Sequence, residues 1–289
     1  MRLMRPANIV TSVADVLAGI AISGYLANQP FHIQNLLPIL LLCFSTIGLY
    51  GGGVVFNDVF DASLDKIERP ERPIPVGLIT IREAAVAGAL MLIAGIIAAR
   101  ITSLTSGIIA LLVAVSALVY DKWGKHYSFA GPLNMGLCRG LNLLLGISIL
   151  PSAVNDWSYL AAVPIIYIAS ITMISRGEVH GGSKNILYAA SLLYILVIGL
   201  ILYFAFTKGR ILFALIFLLP FGWMIFSSLW KAIKDPVGKN IGNAVKAGVL
   251  ALILMNAAWA AAFDASYLAL AIILLLPLSL KLGKIFAVT

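Results

Sequence analysis

Residues 57–77 read NDVFDASLDKIERPERPIPVG and concentrate charge in a chain that is otherwise mostly apolar. Asn57, Asp61 and Asp65 recur every four residues, a spacing that makes side chains neighbours on one face of a helix. Carboxylate and amide oxygens are ligands that Mg²⁺ accepts, and Mg²⁺ usually shares its coordination shell with substrate phosphates. We name these three residues the oxygen ladder. They predict a magnesium site; the alternative is a solvated charged loop between two membrane helices.

Two arginines follow the ladder, and guanidinium groups suit bidentate binding of phosphate. Arg69 and Arg72 are therefore candidate ligands of a diphosphate. Three prolines between positions 70 and 75 end the helix here, because proline cannot continue it. The loop is predicted to fold back and bring Arg72 near Asp61 and Asp65.

The composition decides the class of protein. Of 289 residues, 61% are hydrophobic and 11% are charged, whereas a soluble domain has roughly 25% charged residues. The sequence thus predicts an all-α integral membrane protein, a polytopic bundle of about nine or ten transmembrane helices around a central cavity. The predicted spans are 9–27, 36–56, 83–99, 103–120, 132–150, 158–175, 186–206, 210–230, 243–263 and 266–283. The start of the chain resembles a signal peptide, but it lacks a small-residue cleavage site and is interpreted as a retained span.

The basic residues behind the net charge of +8 are distributed unevenly between the two sides of the membrane, so this charge does not indicate nucleic-acid binding. With a cytoplasmic amino terminus, sixteen basic residues fall in inner segments and three, Arg100, Lys208 and Arg210, in outer ones. This satisfies the positive-inside rule. Both termini and both polar clusters are therefore predicted to be cytoplasmic, in a bacterial inner membrane or its equivalent. Cys43 and Cys138 fall in apolar runs, so no disulfide is expected.

Charged groups within or beside the spans give further candidates. Arg139 and Asn142 lie three apart in the fifth span, where an unpaired arginine is costly. Its partner is either Asp15 of the first span or a substrate diphosphate, and the diphosphate is favoured. Lys122 and Lys125, after the fourth span, are either phosphate ligands or markers of the inner side.

A second polar cluster, SRGEVHGGSK, occupies residues 175–184 after the sixth span. Glu178 is a candidate metal ligand, and Arg176 and Lys184 are candidate diphosphate ligands. His180 is a ligand, a base or a plain loop residue. Glu178 and Gly182 are four apart and share a helix face if the helix continues through them; the alternative is a turn at Gly181 and Gly182 with a positive φ. The four-span offset from the ladder suggests two repeated halves, 1–120 and 121–230, and a helical hairpin, 241–285, in one domain.

The ladder and the following RPERPIPVG resemble the first motif of the UbiA superfamily of intramembrane prenyltransferases. That family typically has a second motif of two aspartates four apart, where this chain has Glu178 and Gly182. Its Tyr-x-x-x-Lys pattern is matched by Tyr120, but Lys125 comes one residue late. The segments GPLNMGLCRGLNLLLG and SRGEVHGG, with a tenth span, resemble the EboC-like branch.

The resemblance implies a fold related to soluble isoprenoid synthases and a Mg²⁺-dependent reaction. A prenyl group would pass from an allylic polyprenyl diphosphate to an electron-rich acceptor, an aromatic ring being one candidate, within the membrane. Asp61, Asp65 and Glu178 would be the catalytic metal-binding acids. Gly182 leaves open a water-filled second metal site, a single metal, or lipid diphosphate binding without turnover. The alternative function is a catalytically degenerate polyprenyl-lipid binding or export-associated protein. A CDP-alcohol phosphotransferase is disfavoured, because its DGxxAR signature is missing from the sequence.

The predicted orientation is testable by cysteine labelling. Single cysteines at Ser63 and Ser183, in a background lacking Cys43 and Cys138, should react only when a membrane-impermeant maleimide reaches the cytoplasmic side. Labelling of either position from outside intact cells would contradict the orientation.

Overall fold

A computed structural model describes residues 6–26, 33–127, 130–178 and 181–285, and the long apolar runs in these ranges are helical. The helices are α1 (Pro6–Ser23), α2 (Leu36–Phe60), α3 (Ala62–Glu68), α4 (Ile81–Thr102), α5 (Leu104–Lys122), α6 (Ala130–Ile147), α7 (Pro151–Trp157), α8 (Ala162–Ser175), α9 (Lys184–Thr207), α10 (Ile211–Lys234), α11 (Gly238–Ala262) and α12 (Ser266–Ile285). Arg2, Arg5 and His180 lie outside the described residues.

The described helices confirm the all-α membrane bundle. Eight segments are long and apolar enough to cross a membrane, with Pro151–Ser175 counted as one of them. α1 adds a shorter apolar helix, Asn8–Ser23, and α6 is more polar because it carries Arg139 and Asn142. The sixth predicted span starts seven residues earlier than expected: a proline at the first helical position begins α7, and the 3₁₀ turn 158–161 joins α7 to α8.

The bundle is built around its first helix and its penultimate one. α1 packs against α2, α6, α11 and α12, and α11 also packs against α8, α9 and α10. In the apolar window of α11, 72% of the residues are buried, against 22% in α10. The outward faces carry exposed leucines such as Leu192, Leu219 and Leu274, as a lipid-facing surface should. The division into repeated halves and a terminal hairpin stays a prediction.

Polar loops gather at one end of the bundle. There Lys125 bonds Asp61, the Arg176 guanidinium donates to the carbonyl of Tyr127, and the N–H of Gly182 donates to the carbonyl of Pro236. These contacts join the loops that follow α2, α5, α8 and α10. We name this the motif end. The opposite end holds an exposed ion pair between Arg210 and Asp264, with 2.5 Å between Nη2 and Oδ2.

Glycines set how closely α2 approaches its neighbours. A Cβ at Gly48 would lie 2.7 Å from the carbonyl oxygen of Met91, and one at Gly52 would lie 2.9 Å from that of Gly88. Gly52 therefore serves helix packing against α4. Gly53, in contrast, lies on the wall of a cavity. Neighbouring glycines of α2 thus serve two purposes, one in helix packing and one at the cavity.

The contact between α1 and α6 is closer still. A Cβ at Gly19 would lie 2.2 Å from the carbonyl oxygen of Leu143, and one at Gly146 would lie 2.1 Å from that of Val16. Real Cβ atoms do not approach backbone so closely, so either side chain would force the helices apart. This approach brings the polar residues of the two helices together.

A buried polar network fills the α1–α6 contact. Arg139 Nη1 lies 2.7 Å from Asp15 Oδ2, and Nη2 donates to Thr11 Oγ1 at 2.7 Å. Asn142 donates to Asp15 and to the carbonyl of Ser12, which completes the contacts between the two helices. Asp15, which the sequence offered as the alternative partner of Arg139, is the partner in the structure. The diphosphate role of Arg139 and Asn142 stays a prediction.

Two more helices join this network through side-chain hydrogen bonds. Thr46 of α2 donates to Asn142 Oδ1 at 2.7 Å, and Asn256 of α11 donates to Asp15 Oδ1 at 2.7 Å. Asp15 and Asn256 are each 1% exposed. The charge of Asp15 is therefore compensated by groups from both α6 and α11.

The glycine contact predicts a stability difference. Gly146→Ala should lower the melting temperature of the detergent-solubilised protein, because overpacking typically costs about 1–3 kcal/mol. The control is Gly199→Ala on α9, where a Cβ meets nothing within 4 Å and alanine favours the helix. Equal melting temperatures for both variants would contradict the close contact.

The buried ion pair predicts a non-additive pair of substitutions. Asp15→Ala should destabilise the protein by about 3–5 kcal/mol, because it leaves Arg139 buried without its counter-ion. The double variant Asp15→Ala/Arg139→Met should recover much of that loss. Thermal unfolding of the single and double variants measures the coupling, and additive losses would show that the two charges are independent.

Candidate functional site

The oxygen ladder follows a helical path with a break in its middle. α2 ends at Phe60, α3 begins at Ala62, and Asp61 lies at the junction with φ −87° and ψ 1°. The N–H of Asp61 donates to the carbonyl of Asn57 at 3.0 Å, and the N–H of Asp65 donates to that of Asp61 at 2.8 Å. Each residue of the ladder is thus hydrogen-bonded to the previous one, which confirms the helical spacing.

Two cationic side chains lie against the ladder. Lys125 Nζ donates to Asn57 Oδ1 at 3.2 Å and forms an ion pair with Asp61. Arg72 Nη1 lies 2.7 Å from Asp65 Oδ2 and 3.2 Å from Asp58 Oδ1. The fold-back of Arg72 onto Asp65 is confirmed. Its second ion-pair partner is Asp58, one turn before Asp61 on the helical path, and Lys125 forms the ion pair with Asp61.

The position of Lys125 depends on the turn after α5. Residues 124–126 form a 3₁₀ turn, which carries Lys125 to the ladder. Lys122 is exposed, with Nζ 4.5 Å from the ring centroid of Trp123. The two lysines therefore separate in space: the structure brings Lys125 to the ladder, while the phosphate role of Lys122 stays a prediction without a contact to support it.

The second polar cluster is a loop. α8 ends at Ser175, Gly181 has a φ of +83°, and the N–H of Gly182 bonds the carbonyl of Pro236 on the α10–α11 connection. Glu178 and Gly182 therefore do not share a helix face, because the helix ends before both. A left-handed φ at position 181 favours glycine, and it turns the chain towards Pro236.

Glu178 is the acid of this loop, and it interacts with the first motif. Partial burial raises the pKa of the Glu178 carboxyl above its ordinary value, while the positive charge of Arg69 acts in the opposite direction. This electrostatic interaction links the two polar clusters. Arg176 binds the carbonyl of Tyr127, and Lys184 is exposed at the start of α9.

A cavity of about 270 Å³ opens beside the ladder. Its walls come from α1, α2, α5 and α6; most of the wall surface is apolar, although eight of the fifteen lining residues have polar side chains. The polar lining residues include Asn57, Tyr120, Asp121, Arg139 and Asn142. This cavity lies on the side of the ladder, and none of its walls comes from the described part of the second cluster.

Two acids of the site, Asp58 and Asp121, were not predicted from the sequence as site residues. Asp58 and Asp65 are seven apart, two helical turns, and this spacing was the signal that they face the same way. Asp121 follows Tyr120 directly and is 6% exposed on the cavity wall. Its only signal was a carboxylate at the end of an apolar run.

The donor set fits a magnesium ion shared with a phosphate. Asn57 and three aspartates offer hard oxygen ligands along two turns, next to a cavity. No three acid, histidine or cysteine side chains in the described ranges converge on one point. Mg²⁺ is commonly held by one or two carboxylates and completed by water and substrate phosphates, and this arrangement suits that mode better than an all-protein cage.

Similar sequences carry one recurrent name. Digeranylgeranylglyceryl phosphate synthase of Saccharolobus solfataricus is 30% identical over 175 residues, which cover 60% of this chain and 59% of the relative. The protein of that name from Methanothrix thermoacetophila is 30% identical over 190 residues, covering 64% and 69%. The chain thus spans less than two thirds of the first relative and slightly more of the second.

Solved structures match the fold over nearly the whole chain. A UbiA homologue from Aeropyrum pernix K1 gives a TM-score of 0.71 at 17% identity, covering 86% of this chain and 96% of that one. A UbiA homologue from Archaeoglobus fulgidus bound to DMAPP and Mg²⁺ gives 0.67 at 18% identity, covering 91% and 98%. At these identities the likeness concerns the fold alone.

The sequence profile of the UbiA prenyltransferase family matches residues 16–240. This range includes Asp15's neighbours on α1, the ladder, the cavity walls and the second polar cluster. The EboC-like branch stays a prediction. With a family match over most of its length, this chain belongs to the UbiA prenyltransferase family.

Proposed function

We propose that the protein transfers a prenyl group from an allylic prenyl diphosphate to an acceptor inside the membrane, with Mg²⁺ as cofactor. The observation that carries the proposal is the oxygen ladder beside a mostly apolar cavity, with Arg72 and Lys125 directly against it. Family membership supports the reaction class. The UbiA homologue from Archaeoglobus fulgidus that matches the fold is described as bound to DMAPP and Mg²⁺.

Each group at the ladder has a role in this proposal. Asn57, Asp61 and Asp65 would hold the metal, with Glu178 contributing from the second loop and Asp58 adding negative charge. When bound there, Mg²⁺ would supply positive charge against the charge that develops on the diphosphate oxygens. When the diphosphate binds, Arg72 and Lys125 exchange their contacts with the aspartates for contacts with its oxygens. Positive charge around the diphosphate also comes from Arg69, Arg176 and Lys184.

The reaction breaks the bond between the first prenyl carbon and the diphosphate oxygen, and the electron pair leaves with the diphosphate. The acceptor then forms a bond to that carbon and loses a proton. The apolar cavity wall excludes water that would otherwise capture the allylic cation. Asp121, on the same wall, takes the proton that the acceptor loses. Arg139, which is paired with Asp15, lines the part of the cavity that the prenyl chain enters, together with Asn142.

The acceptor is the finer part of the proposal. An electron-rich acceptor was expected from the sequence, with an aromatic ring as one candidate. The similar sequences named digeranylgeranylglyceryl phosphate synthase favour a hydroxyl acceptor of the glyceryl phosphate class. An acidic residue at the cavity suits a hydroxyl, which must lose its proton as the new bond forms.

We also propose that the motif end faces the cytoplasm. The excess of lysine and arginine in its loops supports this orientation. A water-soluble diphosphate group would then enter from the cytoplasm, with the prenyl chain in the membrane. Both termini would lie on the same side.

The second candidate function is a polyprenyl-lipid binder that performs no transfer. It is favoured by Gly182, which provides no carboxylate where the family typically has an aspartate.

Substitution of the ladder distinguishes the two functions. Asp61→Ala or Asp65→Ala should reduce Mg²⁺-dependent release of diphosphate from a prenyl diphosphate by about 100-fold or more, because the lost group stabilises developing charge. The protein should stay folded, since Arg72 keeps Asp58 when Asp65 is removed. Activity is measured on purified protein with acceptor present, beside its melting temperature.

The matched control is Glu68→Ala, an exposed acid on α3, which should leave activity unchanged. Near-normal activity in the Asp61 and Asp65 variants would exclude the ladder as the metal site. If the unmodified protein binds prenyl diphosphate but releases no diphosphate with any acceptor tested, the lipid-binding function replaces the transferase.

A further inference from the structure

A second crevice lies between α10 and α11, on walls that the proposed prenyl-transfer site does not use. Its volume is about 340 Å³. Ser228 and Lys231 line it from α10, and Asn240, Asn243 and Lys246 line it from α11. Every one of these five side chains offers a hydrogen-bond donor, and two of them are cations.

The two lysines have no acidic partner here. The lining contains no carboxylate, and none of the ion pairs in the described ranges involves Lys231 or Lys246. Asp235, in the connection between the helices, accepts hydrogen bonds from Asn240 through its backbone carbonyl at 2.8 Å and its carboxylate at 3.3 Å. Two ammonium groups facing one crevice repel each other, and an anion between them would relieve that repulsion.

Lys246 lies farther inside its membrane-spanning helix than the other lysines near this crevice. Lys231, Lys234 and Lys239 lie at helix ends, as the positive-inside rule expects. Lys246 follows Gly238 by eight residues, which places it about 12 Å along α11. A charged side chain within a span is costly and is normally paired or directed to a polar region.

The crevice also has an apolar floor. Met224 precedes Lys231 by two turns on α10, and Leu250 follows Lys246 by one turn on α11, so both lie farther from the motif end. The lining therefore changes from amides and ammonium groups at the mouth to apolar side chains below. An amphiphile with an anionic head and an apolar tail has the same order of groups.

We propose that this crevice binds an anionic glycerophospholipid, with its phosphate diester between Lys231 and Lys246 and its acyl chain along Met224 and Leu250. Asn243 and Ser228 donate hydrogen bonds to the head group, while Asn240 keeps its bonds to Asp235. The site is independent of prenyl transfer, and it would fix the α10–α11 pair to the inner leaflet of the membrane.

Thermal unfolding in a neutral detergent tests the proposal. Phosphatidylglycerol, phosphatidylcholine and inorganic phosphate are titrated separately into the full chain. Phosphatidylglycerol should raise the melting temperature of the unmodified protein, whereas the other two should not. The variant Lys231→Gln/Lys246→Gln should need at least tenfold more phosphatidylglycerol for the same shift.

The matched control is Lys234→Gln/Lys239→Gln, which removes the same formal charge from the same connection. Neither residue lines the crevice, and Lys234 Nζ lies 5.3 Å from the Trp230 ring centroid. The control should respond as the unmodified protein does. An equal loss in both double variants would overturn the site in favour of diffuse surface charge.

Two further outcomes would also overturn it. A full shift with inorganic phosphate would indicate a site for a soluble phosphate, and a full shift with phosphatidylcholine would indicate an apolar groove without charge recognition. If the crevice variant is unstable, Asn243→Leu serves instead, with lipids retained per protein counted by native mass spectrometry. Unchanged phosphatidylglycerol retention in that variant would exclude Asn243 and the proposed head-group position.

Discussion

A carboxylate and a guanidinium that meet away from water constrain the rest of this bundle. Neither Asp15 nor Arg139 can be left alone in a membrane interior, because an uncompensated charge there is costly. Their ion pair fixes the rotation of α1 against α6, and hydrogen bonds from Thr46 and Asn256 bring in α2 and α11. The glycines at the α1–α6 contact allow the backbones to approach closely enough for these bonds to form.

This pairing also determines how charge is distributed along the cavity. Arg139 reaches the cavity wall already neutralised by Asp15, so it provides hydrogen-bond donors with little net charge. At the ladder the balance differs, because three aspartates, Asp58, Asp61 and Asp65, form ion pairs with two cations, Arg72 and Lys125. The excess negative charge therefore lies at the motif end of the cavity, where a divalent cation is most stabilised.

Much of the fold followed from the sequence, because apolar runs and their breaks determine where helices cross a membrane. The ladder and the return of Arg72 to Asp65 were also accessible, since they depend on local helix geometry and on prolines. The partner of Asp61 was not, because a 3₁₀ turn outside the ladder positions Lys125. The choice of Asp15 by Arg139 depends on which helices pack together, and no local pattern contains that information. The shape of the second loop likewise depends on a bond to Pro236, more than fifty residues away in the chain.

The position of α1 has a consequence for biogenesis. Its partners α6, α11 and α12 are made after it: Arg139 follows Asp15 by 124 residues, and Asn256 follows it by 241. At about 5–20 residues per second, synthesis leaves Asp15 without Arg139 for roughly 6–25 seconds. During that interval the first helix must wait in the insertion machinery or at the membrane interface. The polar network around Asp15 is complete only when α11 has been made and packed against α1.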